Sequence, residues 1–190
     1  MSHRILLITG DAGESYECLY ARHRFMEAGL EPVIAAPTRK RMNLVIHDFE
    51  PGWDTYIERQ GYLQESDITF DEVNVEEYDA ILLLGGRAPE YLRLNEQVLT
   101  IVRHFAKANK PIAAICHGLQ LLAAAGVLEG RSCTAYPACG PEVTRAGGTF
   151  VDQPPDQVHV DGKLVTAPAW PAHPAWIAAF LKVLGAEITL

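Results

Sequence analysis

Short apolar runs of strand length alternate with longer segments of helical pattern along most of this chain. The first run, Ile5–Thr9, is apolar at every position but the last, and Gly10-Asp11-Ala12-Gly13 follows it directly. A strand that is buried on both faces has this continuous pattern, whereas a strand with one solvated face alternates apolar and polar residues. The alternation of such strands with helices predicts an α/β fold, with a mainly parallel sheet covered by helices on both faces.

Glycines and capping residues indicate where the individual elements begin and end. Gly29 is placed to end a first helix at about Glu14 to Ala28, and Asn95 is suited to cap a helix that runs to about Ala108. Residues 38–70 are polar and aromatic and predict an excursion that contains a hairpin. The other predicted elements are strands at Pro32–Ala36, Ala80–Leu84 and Pro111–Ile115, helices at His117–Ala125 and Pro171–Leu184, a hairpin of Val158–Val160 with Leu164–Thr166, and an edge strand at Ile188–Leu190.

Composition limits the partners and the compartment. The 190 residues fit a single domain, 1–190, and the net charge of -8 argues against nucleic acid or an acidic membrane as a partner. The N-terminal apolar run is too short for a signal peptide, and no stretch approaches the ~18 apolar residues of a membrane span, so we expect a cytoplasmic protein. Free thiols are expected because no CxxC pair occurs among Cys18, Cys116, Cys133 and Cys139. No metal-binding spacing occurs either, so no metal is expected.

Three segments follow predicted strands and carry residues suited to chemistry. They are Gly10–Glu17, Gly85–Glu90 and Cys116–Gly118. Because open α/β sheets bind ligands at the carboxyl ends of their strands, we expect the functional site to lie where these segments meet.

Cys116 is the most specific of these features. It joins an apolar strand to an apolar helix, with Gly118 two residues further on, which is the arrangement of a nucleophile elbow. The N–H groups and positive dipole of a helix N-terminus are expected to lower the pKa of its thiol. The alternative is a buried cysteine that acts only as a small hydrophobic side chain.

Two acidic residues and a histidine are candidate partners of this thiol. Glu14 and Glu17 lie one helical turn apart at the start of the first helix, where acidic residues also occur for dipole reasons alone. A glutamate beside the thiolate would have to be protonated in order to donate a hydrogen bond to it. His117 is adjacent to Cys116, but neighbouring helical side chains do not face each other, so a dyad requires a strained elbow.

The segment after another strand contributes candidates for substrate binding. Gly85 and Gly86 allow the backbone to approach a ligand, and an exposed N–H can serve as an oxyanion donor. Arg87 and Gly118 are further candidates for this binding role. The glycine pair is not a GxGxxG motif, so no dinucleotide fingerprint is present.

Three segments closely resemble the DJ-1/PfpI superfamily, within the class I glutamine amidotransferase-like fold. They run from Leu84 to Leu92, from Lys110 to Gly118 and from Gly130 to Pro137, with further similarity at Leu164–Ala167 and His173-Pro174. The resemblance covers nearly the whole chain and is strongest to PfpI-type members and to plant relatives described as glyoxalases. Those plant proteins hold two such domains in tandem, so a homo-oligomer (dimer, trimer or hexamer) is the expected counterpart here.

The resemblance implies a flavodoxin-like, doubly wound sandwich and a set of roles. Cys116 would be the nucleophile and Glu17 the protonated partner of its sulfur, with Glu14 nearby. His117 would be oriented by Glu90 of a neighbouring subunit, and the backbone N–H groups of Gly86 and His117 would form the oxyanion site.

Three functions follow from this resemblance. The first is a glyoxalase that converts methylglyoxal to lactate without glutathione or a cofactor, or a related deglycase. The second is a cysteine peptidase or amidase that acts on peptides, and the third is a stress sensor in which Cys116 is oxidised without turnover. The excursion at 38–70, with Trp53, Tyr56 and Tyr62, either shapes the pocket or forms the oligomer contact.

Overall fold

The computed structural model describes residues 3–186, and these contain eleven strands and six α-helices. The strands are β1 Arg4–Ile8, β2 Glu31–Ala36, β3 Arg41–Asp48, β4 Ile57–Glu65, β5 Ile68–Thr69, β6 Ala80–Leu83, β7 Ile112–Ile115, β8 Ser132–Cys133, β9 Thr149–Phe150, β10 His159–Asp161 and β11 Leu164–Ala167. The helices are α1 Ser15–Glu27, α2 Ala88–Leu92, α3 Glu96–Lys107, α4 Leu119–Ala125, α5 Gly140–Arg145 and α6 His173–Val183.

Seven of these strands form one sheet, in the order β10-β11-β7-β6-β1-β2-β5. Neighbouring strands are parallel except β10 and β11, which form the antiparallel hairpin predicted around Asp161-Gly162. Every residue of β6, β7 and β11 is buried, as their continuous apolar runs predicted. The mainly parallel α/β sheet is therefore confirmed.

Helices cover both faces of the sheet, each over its own core cluster. Phe25 of α1 and Phe180 of α6 pack on one face with their ring centroids 6.0 Å apart. Leu92 of α2, Phe105 of α3 and Leu122 of α4 are buried on the other face. The chain moves from β1 outward to β2 and β5, then returns to β6 and proceeds to β7 and β11. The switch point of this doubly wound sheet therefore lies between β1 and β6, and ligands bind at such points.

The helix ends lie where the capping residues indicated. Glu14 caps α1 by accepting the N–H of Tyr16, and Gly29 follows that helix with a φ of +75°. Asn95 caps α3 by accepting the N–H groups of Gln97 and Val98. Gly126 ends α4 in the left-handed conformation that glycine adopts without strain.

The excursion at 38–70 contains the predicted hairpin, formed by β3 and β4. The hairpin is joined to the loop after β1, because Val45 N–H donates to the carbonyl of Gly13 at 2.9 Å. Residues 49–56 connect the two strands and turn back toward the carboxyl edge of the main sheet, where Tyr56 contacts His117.

Some elements were not predicted, and one prediction cannot be compared. The two short helices α2 and α5 were not expected, nor were the two-residue strands β5, β8 and β9. The edge strand predicted at Ile188–Leu190 lies outside the described residues. Within residues 3–186, no helix has the length and apolar character needed to cross a membrane.

Candidate active site

Cys116 lies at a strained turn between β7 and α4. Its φ is +56°, a left-handed conformation that is uncommon for a residue with a side chain, and a single 3-10 turn, Cys116–Gly118, leads into the helix. Gly118 packs against the end of β6, where any side chain would overlap the carbonyl oxygen of Leu83. This close approach explains the glycine, and the turn has the geometry of the predicted nucleophile elbow.

Glu17 of α1 is the nearest acidic partner of Cys116. Its carboxyl oxygen Oε2 accepts the N–H of Gly85 at 2.6 Å, and the side chain is 1% exposed. A Cβ atom at position 85 would lie 2.7 Å from Cys116 Cβ and 2.8 Å from Glu17 Oε2, so only glycine fits there. Glu17 is also close enough to Cys116 for each side chain to affect the pKa of the other. The structure thus brings together Glu17, Gly85 and Cys116 from three separate segments.

Burial raises the pKa of both members of this pair. The pKa of the Glu17 carboxyl lies well above its usual value, first because of burial and then because of the charge of Glu14. A carboxyl group in this environment holds its proton, as the role of hydrogen-bond donor requires.

The pKa of the Cys116 thiol is also raised, first by burial and then by the charge of Glu17. This direction is opposite to the one expected from the helix N-terminus alone. Backbone hydrogen bonds from His117 and Gly86 do act to lower it, but the buried environment outweighs them. Protonation of Glu17 removes the second of three raising causes, the third being the charge of Cys139.

His117 contacts the thiol despite being its neighbour in sequence. Its Nδ1 lies 3.2 Å from Cys116 Sγ, a contact that the positive φ of Cys116 makes possible. The imidazole stacks on the ring of Tyr136 with centroids 5.0 Å apart. Burial lowers its pKa to about 4, so the ring is neutral near pH 7 and can accept a proton.

Glu14 is held by the backbone rather than by the thiol. Its carboxylate accepts the N–H of Tyr16 at 3.1 Å and that of His47 at 2.8 Å, and it is 2% exposed. Burial raises its pKa. These bonds connect the start of α1 to strand β3 of the hairpin, so Glu14 fixes the position of the hairpin relative to Glu17.

Arg87 and Glu90 lie further from the thiol. The guanidinium of Arg87 pairs with Glu58 through two hydrogen bonds, at 2.9 Å and 3.1 Å. This pairing directs the Arg87 side chain toward the hairpin rather than toward the sulfur. Glu90 is exposed on α2, and no contact with His117 occurs within the described part of this chain.

Three further aromatic rings adjoin the site, and of these the sequence did not indicate Tyr136, whereas it left the role of Tyr56 and the excursion open. Tyr136 stacks on His117, and its N–H donates to the carbonyl of Cys116 at 3.3 Å. Tyr56 and His47 come from the hairpin, with their ring centroids 4.4 Å apart. Their position depends on how the excursion folds back on the sheet, and no local pattern in the sequence reports that.

Tyr136 also lines an apolar pocket of about 510 Å³. Its walls include Phe49 at the end of the hairpin, Pro137 and Trp170. Among residues 3–186, no group of three or more histidine, cysteine or acidic side chains is arranged to hold a metal ion.

A cysteine elbow beside the switch point of a doubly wound sheet defines this molecule as a flavodoxin-like α/β protein. The sequence model of the DJ-1/PfpI family matches residues 3–183. The chain therefore belongs to the DJ-1/PfpI family.

Two curated relatives illustrate the range of similarity. "Protein DJ-1 homolog D" from Arabidopsis thaliana is 44% identical over 190 residues, which are 98% of this chain and 49% of the relative. The chain thus spans about half the length of that plant protein. "Deglycase PfpI" from Pyrococcus furiosus is 40% identical over 185 residues, and the match covers 95% of this chain and 99% of the archaeal one.

Solved structures share the fold at low sequence identity. A two-domain protein from Anabaena variabilis, with DJ-1/ThiJ/PfpI-like and ferritin-like domains, matches with a TM-score of 0.85 and 24% identity over 97% of this chain and 48% of its own. Schizosaccharomyces pombe DJ-1 matches with a TM-score of 0.74 and 18% identity over 98% of this chain and 92% of its own.

Proposed function

We propose that this protein is a cysteine-dependent enzyme that converts small 2-oxoaldehydes to 2-hydroxy acids without glutathione, or a related deglycase. The observation that carries this proposal is the contact of Cys116 with a buried carboxyl group on one side and a neutral imidazole on the other. A nucleophile flanked by two groups able to exchange protons is what an internal proton transfer between neighbouring carbons requires.

The names of the relatives support the same general activity. Four archaeal relatives, between 36% and 40% identical to this chain, are named deglycases. Deglycases and glyoxalases both act on carbons derived from 2-oxoaldehydes, so one site can serve either reaction. The choice of substrate is our inference from the chemistry of Cys116, Glu17 and His117.

The proposed reaction proceeds through a thioester. The Cys116 sulfur attacks the aldehyde carbon of methylglyoxal and forms a C–S bond, and the aldehyde oxygen gains a proton to give a hemithioacetal. A base removes the hydrogen of that carbon as a proton and a proton is returned to the neighbouring carbon, while the hydroxyl proton of the first carbon passes to the oxygen of the second, which gives a 2-hydroxy thioester. The first carbon is thereby oxidised and the second reduced. Water then cleaves the thioester to give lactate and the free thiol.

The environment of each group suits one step of the proposed reaction. The neutral His117 can accept the carbon-bound proton, because its lowered pKa of about 4 leaves it unprotonated near pH 7. The buried carboxyl of Glu17 holds a proton that it can donate while the thiolate attacks. The N–H groups of Gly86 and His117 face the sulfur and stabilise negative charge there.

The first experiment measures methylglyoxal consumption and lactate formation without glutathione. We expect Cys116→Ala to reduce turnover to the uncatalysed rate while the fold is retained. The matched control is Cys133→Ala, which removes another buried thiol, in the core cluster on the opposite face of the sheet. The control should retain activity, because Cys133 contacts none of the site residues described above.

Two further results would separate the alternatives. Lactate formed equally by wild type and Cys116→Ala would refute the cysteine-centred reaction. A preformed adduct of methylglyoxal with N-acetylcysteine releases free aldehyde spontaneously. If the enzyme removes the adduct only as fast as the adduct releases free methylglyoxal, the enzyme acts on the aldehyde and is a glyoxalase. If the adduct disappears faster than that, the enzyme acts on the adduct itself and is a deglycase.

A further inference from the structure

Tyr56 lies in the segment that joins β3 to β4 and reaches the candidate active site from outside the main sheet. Its ring stands edge-on to two site rings, with centroids 6.0 Å from His117 and 5.5 Å from Tyr136. The residue is half-buried, whereas Trp53 and Tyr62 of the same excursion are 62% and 69% exposed. Of the aromatic residues that the excursion carries, Tyr56 is thus directed into the site.

The hairpin is held so that Tyr56 keeps this position. His47, which packs on the Tyr56 ring, lies between Glu14 and Glu58, with nitrogen–oxygen distances of 3.8 Å and 3.3 Å. Glu58 is paired in turn with Arg87, which directly follows the Gly85-Gly86 turn. These contacts attach the hairpin to two segments near Cys116, the start of α1 at Glu14 and the turn before Arg87.

The hydroxyl group of Tyr56 is not engaged by the rest of the described protein. Among residues 3–186 no hydrogen bond to it occurs, although its ring packs against the rings of His47, His117 and Tyr136. A hydroxyl donor without a protein partner, on a ring that packs against His117, is available to a bound substrate.

We infer that the Tyr56 phenol is a catalytic residue that donates a hydrogen bond to the C2 oxygen of a 2-oxoaldehyde held on Cys116. The inference rests on the proposed function and adds a residue to it. When the proton leaves C1, negative charge develops on the C2 oxygen, one bond beyond the carbon attached to sulfur. The Gly86 and His117 N–H groups face the sulfur, so this second oxygen needs a donor from another direction.

Tyr56 acts in this step as a donor that keeps its proton. Burial raises the pKa of its hydroxyl to about 12, so the phenol remains neutral throughout the pH range of the reaction. The proton that ends on C2 comes from the acid–base groups of the site. The hydrogen bond strengthens as charge develops, and it therefore lowers the barrier more than it tightens substrate binding.

The test compares Tyr56→Phe with Tyr62→Phe in the methylglyoxal assay. The first change removes the inferred donor and keeps the ring packing, and the second removes an exposed phenol from the same hairpin. We expect Tyr56→Phe to reduce kcat by about 10- to 100-fold with little change in KM, at or below the loss usual for one oxyanion donor. Tyr62→Phe should match wild type.

A second readout separates a role at the substrate from a role at the thiol. The rate at which iodoacetamide alkylates Cys116 depends on the thiolate but not on the C2 oxygen, so it should be equal in wild type and Tyr56→Phe. An unchanged kcat in Tyr56→Phe would overturn the inference, and so would an alkylation rate that falls in parallel with kcat. A wild type that does not consume methylglyoxal would instead refute the proposed function itself.

Discussion

In the reaction proposed above, Cys116 and Glu17 act as a pair. Both side chains are buried, and the charge of Glu17 raises the pKa of the Cys116 thiol. Only one of the two protons can leave readily, because two neighbouring negative charges in a buried site repel strongly. The proposed reaction requires the form in which the sulfur carries the charge and Glu17 keeps the proton.

Replacement of Glu17 by glutamine tests this sharing of a proton. The amide has the size of the carboxyl group and can still accept the N–H of Gly85, but it cannot exchange a proton. We expect Glu17→Gln to reduce kcat by at least ~100-fold, the range of a lost acid–base group. Because the protonated carboxyl is the donor that stabilises the thiolate, its replacement by the weaker amide donor should raise the thiol pKa, and alkylation of Cys116 should reach its plateau at a higher pH in the variant.

Iodoacetamide rates between pH 6 and pH 11 would measure that plateau. The matched control is Glu27→Gln, which removes an exposed carboxylate at the far end of α1. A plateau that shifts to lower pH in Glu17→Gln would contradict the shared-proton description.

At the scale of residues, the sequence indicated which side chains lie near the thiol but not their protonation states. The strand–cysteine–helix pattern led to Cys116, and the family resemblance led to Glu17. The raised thiol pKa could not be predicted, because it depends on how completely α1 and the Gly85 turn enclose the sulfur. The contact of His117 with the thiol was left open by the sequence, since it follows from the backbone strain at Cys116.

At the scale of elements, the N-terminus of α6 contains a histidine that contributes nothing to the site. His173 is fully buried, and neither ring nitrogen has a hydrogen-bond partner within the described residues. Its ring stacks on Tyr20 at 5.0 Å and meets the edge of Tyr16 at 4.8 Å, so it packs α6 against α1 as an aromatic ring. Burial lowers its pKa to about 4.

Because the pKa of His173 is lowered in the folded protein, the protein loses stability as the pH falls. The unfolded chain protonates His173 near pH 6.5, whereas the folded protein does so near pH 4. The stability that depends on a neutral His173 ring is fully present above about pH 6.5 and is lost as the pH falls toward 4. The loss amounts to about 3 kcal/mol at pH 4. When the pH is lowered from 7.5 to 4, we expect the free energy of unfolding to fall by about 3 kcal/mol less in His173→Phe than in wild type.

Urea unfolding at the two pH values measures this difference. His23→Phe serves as the control, because His23 lies exposed on α1. Equal losses of stability in wild type and His173→Phe would show that the ring is solvated or finds a partner.

The elements themselves show where sequence patterns are sufficient. Strands β1, β6 and β7 were predicted to within one residue at either end, because buried parallel strands have continuous apolar runs. Helices α2 and α5 were missed because each has only five or six residues and begins near a proline, which resembles a turn. The hairpin was predicted, but the sequence left open whether it shapes the pocket or forms an oligomer contact, because contact with the site joins residues distant in sequence.

At the scale of the whole molecule, the surface around Glu90 suggests contact with another subunit. Glu90 is exposed on α2, and two neighbouring apolar side chains, Tyr91 and Leu94, are 38% and 82% exposed. Exposed apolar side chains grouped beside an active site are typical of an interaction surface. Among residues 3–186 no carboxylate is hydrogen-bonded to the His117 ring, so we expect a second copy to supply the partner that the family resemblance implies.

Mixed oligomers would show whether Glu90 acts on the site of a neighbouring subunit. Cys116→Ala and Glu90→Gln should each be defective alone, the first without its nucleophile and the second without the carboxylate that orients His117. When the two variants are co-expressed, a subunit with an intact Cys116 can receive Glu90 from its Cys116→Ala neighbour. We therefore expect methylglyoxal turnover to recover in the mixture, and light scattering to show an oligomer. If Glu90 acted within its own chain, or if the protein were a monomer, no site would contain both groups and the mixture would stay as inactive as the single variants.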